Sequence, residues 1–250
     1  MGTPSDLLRL GFWGLPPAMI AVLLVLVRAA SVRAGLEPAA VARRLGLVAL
    51  GAGGFWLLGV GLARAGALRF GTLPPRPFLF FLIGFALTVA LSRSRVGRDL
   101  ALRLPLSFLV GVQAFRILVE LLLHQGAADG VTPPQMTWSG YNFDVITGLL
   151  ALPLAVALQR GALGPRAAWA FNWLGIALLA NVLVIAILSM PTPLRAFHNE
   201  PANVWIAEAP FIGLPGVLVP FALLGHLLLW RRMREHAAAR SEAEVVSASG

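Results

Sequence analysis

Seven apolar runs divide this sequence, at roughly residues 12–27, 45–63, 78–91, 104–124, 143–158, 167–190 and 211–230. A helix of about 20 apolar residues spans the ~30 Å hydrocarbon core of a bilayer. Several runs approach that length, and they are separated by short connectors. A soluble domain could not cover so much apolar surface. The chain is 58% hydrophobic and 12% charged, with a mean hydropathy of +0.81. Soluble domains hold about 45–50% apolar and about 25% charged residues. The expected fold class is therefore all-α: a polytopic membrane protein, a bundle of seven transmembrane helices forming one domain over residues 1–230. Residues 231–250 are small, polar and rich in Ala, Ser and Glu. They read as a disordered cytoplasmic tail.

The net charge of +9 comes entirely from arginine, since the chain has no lysine. These arginines sit in short connectors between apolar runs, a placement that sets membrane topology and argues against nucleic acid as a partner. With the N-terminus outside, the inner connectors and tail carry Arg28, Arg33, Arg43, Arg44, Arg93, Arg95, Arg98, Arg103, Arg160, Arg166, Arg231, Arg232, Arg234 and Arg240. The outer segments carry only Arg9, Arg64, Arg69, Arg76 and Arg195, so the bias predicts N-out, C-in. Arg28 and Arg33 follow the first apolar run rather than precede it, as in a retained helix rather than a cleaved leader.

Several chemistries are excluded. Without Cys there is no disulfide, thiolate nucleophile or Cys-ligated metal. Without Lys there is no Schiff base, and so no retinal. Gly51-Ala52-Gly53-Gly54 lies inside an apolar run with no strand before it, so it is a helix-packing face and not a phosphate loop. No pair of histidines on one helix has zinc-site spacing. His124 and His226 are expected near opposite faces of the membrane, too far apart for bis-histidine haem. No cofactor or metal is expected.

The polar residues at membrane depth carry the functional reading. Gln113, Arg116, Glu120 and His124 follow an i, i+3, i+7, i+11 pattern, which places them on one face of the fourth helix. Charges at that depth normally face the bundle interior and find partners. Arg116 and Glu120, at i and i+4, are expected to partner each other. Asn181, in the sixth run, is expected level with Arg116 and facing it, with Asn172 lower. Asn142 and Asp144 open the fifth helix, and Asn142 also suits a helix cap. The segment 132–144, TPPQMTWSGYNFD, reads as a structured turn at the interface. The loop before the seventh run adds His198, Asn199, Glu200, Asn203, Trp205 and Glu208 to the same side.

Phe115-Arg116-x3-Glu120, followed by Pro134-x-Met136-Thr137-Trp138-x-Gly140-x-Asn142-Phe143-Asp144, resembles the pattern of a family of bacterial seven-helix integral membrane proteins. Asn181 and the Pro215, Pro220, His226 pattern are similar to it too. The resemblance covers roughly residues 105–230. It implies seven spans and the bacterial inner membrane, and it brings no activity with it.

Three functions fit these residues. The first is transport of a small solute or ion, proton-linked through Glu120, or binding of such a ligand. It would use an outward-facing polar pocket lined by Gln113, Arg116, Glu120, His124, Asn142, Asp144 and Asn181. The second is an outward-facing membrane enzyme acting on a lipid or lipid-linked substrate, with Glu120, His124, Asp144 and His198 as acid/base groups. No nucleophile motif supports it. The third is a structural or assembly protein in which Arg116 and Glu120 only fix helix packing. The expected partners are the bilayer and a small solute or ion, with the oligomeric state left open.

Overall fold

The computed structural model describes residues 2–72 and 74–248, with side chains through Glu235. It is built from helices, with no strand among the described residues. In chain order these are α1 (Asp6–Arg33), α2 (Pro38–Arg64), α3 (Arg76–Arg93), α4 (Arg95–Arg103), α5 (Leu106–Gly111), α6 (Phe115–Ala128), α7 (Val145–Gln159), α8 (Pro165–Leu188) and α9 (Val219–Ala248). A 3-10 turn, Val112–Ala114, joins α5 to α6 into one rod, and a π turn, Leu214–Leu218, opens α9. Six helical spans are long and apolar enough to cross a membrane: α1, α2, α3, Leu106–Ala128, α8 and Leu214–Glu235. This is a multi-pass membrane architecture.

The fifth apolar run becomes α7, whose 15 residues cover only about 22 Å. The arginine cluster after the third run is not a loop. It forms α4, an amphipathic helix that buries Gly97, Leu100 and Ala101 while presenting Arg95, Arg98 and Arg103. Such a helix lies well at a membrane surface. Helix α9 runs to Ala248, so helical backbone covers most of the segment set apart above as a disordered tail; residues 249–250 lie outside the described residues. Its Ala, Arg and Glu are strong helix formers.

Large side chains face outward along the spans. Leu10, Leu47, Leu50, Leu57 and Ile83 are all exposed, as lipid contact requires. Burial identifies the central element. The Leu214–Glu235 span is 67% buried, whereas α2's is 17% buried. The last span packs against α3, α4, α5 and α8, while α1 packs against α2, α4, α6 and the π turn. Along α1, Leu8, Phe12, Pro16, Met19, Leu23, Val27 and Ala30 form the buried stripe at three- and four-residue steps.

The two ends of the bundle differ. At one end, Arg44 donates to Asp99 at 2.6 Å, and Arg231 donates to the carbonyls of Ser92 and Ser94 at 2.8 and 3.0 Å. Arg232 donates to the carbonyls of Ala101 and Leu104. Helix C-termini leave carbonyls without partners, and these guanidinium groups satisfy them. The other end has few arginines. There Asp129, just past α6, accepts hydrogen bonds from the Ser5 amide (2.8 Å), the Ser5 hydroxyl (2.7 Å) and Gln125 (2.8 Å). Partial burial pushes the Asp129 carboxyl up, but these three bonds outweigh it and hold the group below its ordinary value. The clamp fixes the start of α1 beside the end of α6.

Candidate functional site

At mid-span, five polar side chains from four elements form a buried chain. Arg116 of α6 places Nε 2.6 Å from Asp144 Oδ2 and Nη2 on Asp144 Oδ1, a two-point carboxylate grip. Asp144 stands at the N-cap position of α7 without capping it, because its carboxylate is taken by Arg116. The Thr147 hydroxyl donates to Asp144 Oδ1 at 3.3 Å. On the other side, Arg116 Nη1 lies 2.8 Å from His226 Nε2. A guanidinium only donates, so this Nε2 accepts and the imidazole proton sits on Nδ1. Nδ1 in turn donates to Asn172 Oδ1 at 2.9 Å. His226 is therefore a neutral imidazole with a fixed tautomer.

Glu120, one turn beyond Arg116, has a different partner. Asn142 Nδ2 donates to Glu120 Oε1 at 2.8 Å and Oε2 at 2.9 Å, and also lies 3.0 Å from the Met136 carbonyl. Asn142 Oδ1 accepts the Asp144 amide at 3.0 Å, which locks the turn that presents both residues. Among the described residues, no basic side chain lies within 4.0 Å of the Glu120 carboxylate. Gln113, fully buried in the 3-10 turn, donates to the Ala222 carbonyl at 3.1 Å, and its Oε1 has no partner. Two glycines permit these approaches. A Cβ at Gly175 would overlap the His226 ring, and one at Gly225 would overlap the Gln113 amide.

The site thus corrects the expected pairing. Arg116 and Glu120 do share a helix face, but Arg116 bonds Asp144 rather than Glu120. The fork geometry of the carboxylate–guanidinium contact favours a partner arriving head-on from another element over one lying along the same helix. Asn181 does not face Arg116; it is half-buried and donates to the Tyr141 carbonyl at 2.7 Å. His124 is exposed and stacks on Trp138, with centroids 4.3 Å apart, outside the buried chain. His198 is exposed too and makes none of these bonds. His226, expected near the inner face, lies beside Arg116 instead. The last span continues past Trp230 to Glu235, which leaves His226 roughly 18 Å from its beginning and 14 Å from its end. Arg116, ten residues into the Leu106–Ala128 span, sits about 15 Å along it.

Arg116, Glu120 and Asp144 form the floor of a cavity of about 80 Å³. Its walls are apolar: Phe78 and Phe81 of α3, Val119 and Leu123 of α6, Val182 and Leu183 of α8. Met136, Met190, Asn203 and Ile206 close the end that faces the loops, and all four are buried. Those loops are tied together, Gln135 donating to Ser189 at 2.9 Å and accepting from Asn199 at 2.8 Å. Phe78, Phe81, Val182 and Leu183 are only half-buried, so the cavity opens sideways between α3 and α8. Asn203 donates to the Ala186 carbonyl at 3.0 Å, and its Oδ1 is buried without a partner.

Sequence reasoning missed Gln135 and Thr147 and gave Asn172, Asn203 and His226 no place in the site. Gly225 next to His226, and the continuation of the last helix through Arg231, were the available signals. Gln135 had none. No group of three His, Asp or Glu among the described residues could hold a metal ion.

A family model described as a domain of unknown function (DUF8737) matches residues 73–234. No curated protein and no solved structure matches the chain.

Proposed function

The chain belongs to the DUF8737 family, and we propose that it crosses a bacterial inner membrane seven times and binds a small solute in the cavity above Arg116, Glu120 and Asp144, in the manner of a transporter or a membrane-embedded binding protein. The observation that carries this reading is the cavity floor. Charged side chains at membrane depth cost several kcal/mol even on lenient scales (about 2.5–3.5 each). A packing-only role is met by Arg116 and Asp144 alone. Glu120 adds a further buried carboxylate with no cation of its own, on the wall of a cavity large enough for a ligand group.

Seven crossings are supported by the course of the chain. Helix α8 ends at Ser189, which meets Gln135 in the loop that follows α6. Its 24 residues must therefore begin at the opposite end, and α7 must carry the chain there despite its 15 residues. The arginine count supports placing the Arg44–Asp99 and Arg231 end in the cytoplasm. A reporter fused after Gly130 is then expected to read periplasmic; a cytoplasmic signal would invert the topology.

The binding role is tested by filling the cavity. Mass spectrometry of small molecules that copurify with the protein in mild detergent is expected to show at least one species that Ala186→Phe removes while the fold is retained. An unchanged set in a folded Ala186→Phe protein would leave the polar cluster as a packing device. Mixed catalysis by Glu120, His124, Asp144 and His198 gains no support, since His124 and His198 stand outside the cavity.

A further inference from the structure

Resting on the cavity just proposed as a binding site, we infer that its ligand is a lipophilic ammonium: a protonated amine carrying an apolar chain, anchored by Glu120. The charges around the floor are unequal. Arg116 is matched by Asp144, and His226 is neutral because its Nε2 accepts from Arg116. All three guanidinium nitrogens are engaged by those two partners. Glu120 is the one remaining ionisable group on the floor without a charged partner, and its carboxyl has only an amide for company.

That amide is overcommitted. Asn142 Nδ2 carries two hydrogens and faces three acceptors, the two Glu120 oxygens and the Met136 carbonyl. At least one acceptor is left without a hydrogen. A second unserved acceptor, Asn203 Oδ1, stands on the cavity wall; its amide nitrogen is held by the Ala186 carbonyl, so the oxygen is the free atom. A ligand that fits such a site donates hydrogen bonds and brings positive charge. An ammonium does both, whereas a carboxylate would meet Glu120 and Asp144 with repulsion.

The rest of the cavity selects the chain. Its walls are Phe, Val and Leu, and its sideways mouth between α3 and α8 lets an alkyl tail continue outward. A cavity of about 80 Å³ takes the head and first methylenes of such a molecule and not a whole lipid.

Three probes of equal length separate the possibilities: n-octylamine, n-octanol and n-octanoate, titrated calorimetrically against the full chain in zwitterionic nanodiscs, with empty nanodiscs subtracted. The amine is expected to bind at least about tenfold tighter than the other two, as a charge-assisted hydrogen bond in a dry site provides. Glu120→Gln, which keeps an acceptor for Asn142, should reduce the amine to the level of the alcohol. Ala186→Phe should abolish binding of all three. Equal binding of amine and alcohol, lost in Ala186→Phe, would overturn the ammonium inference and leave the binding site standing. No saturable binding of any probe to folded protein would overturn both.

Discussion

Asp144→Ala is expected to destabilise the protein by about 3–5 kcal/mol, the range for leaving one member of a buried ion pair without its partner. The loss has two parts. Arg116, 2% exposed, would keep its charge with only His226 beside it. The turn before α7 would also lose the group that ties it to α6. The double replacement Arg116→Met with Asp144→Leu removes both charges together and is expected to regain most of the stability, because buried pairs often exchange for apolar residues at little net cost. Reversible unfolding in mixed micelles, followed by circular dichroism, measures both. A single variant within about 1 kcal/mol of the parent would show that water reaches Arg116, and that the pair does not behave as a desolvated one.

Phe12→Ala should cost a similar amount, about 3–5 kcal/mol, for a different reason. Phe12 has no exposed surface and meets two rings edge-on, Trp205 and Phe211, each with centroids 5.5 Å away. Trp205 and Phe211 in turn meet at 5.2 Å. This triad fastens the first helix to the long loop before α9, and truncation leaves a void that lipid cannot enter. The same unfolding assay applies. Phe12→Leu should recover most of the loss, and recovery by Leu would separate lost volume from lost aromatic geometry.

Six long apolar helices were legible in the sequence because hydropathy is a local property: each such run announces a helix without knowing its neighbours. Helix α4 was hidden because nine residues with three exposed arginines have no apolar run to announce them. At the site, the face shared by Gln113, Arg116 and Glu120 followed from helical spacing, and the turn carrying Asn142 and Asp144 from its composition. The pairing did not follow. Whether Arg116 meets Glu120 or Asp144 depends on how α6 is rotated against α7, and Gly148 sets that by letting α7 approach to where a Cβ would lie 2.9 Å from the Ile117 amide nitrogen. The depth of His226 was lost with the end of its helix. Trp230 looks like an interface residue in sequence, yet it packs against Trp169 and Trp173 while the helix continues past it. Asn181 was misplaced in depth: Asn172 is the α8 residue that reaches the Arg116–His226 chain, and Asn181 stands nine residues, about 13.5 Å, further along the helix.

The sideways mouth of the cavity has a consequence for what governs its occupancy. With the loop end closed by Met136, Met190 and Ile206, a solute of the kind proposed would arrive after dissolving in the surrounding leaflet. Saturation would then follow the mole fraction of solute in the lipid, and a molecule's partition coefficient would weigh as heavily as its fit. Two compounds with identical contacts to Glu120 would differ in apparent affinity by the ratio of their membrane solubilities. Diluting the protein with extra lipid at constant total solute would empty the site.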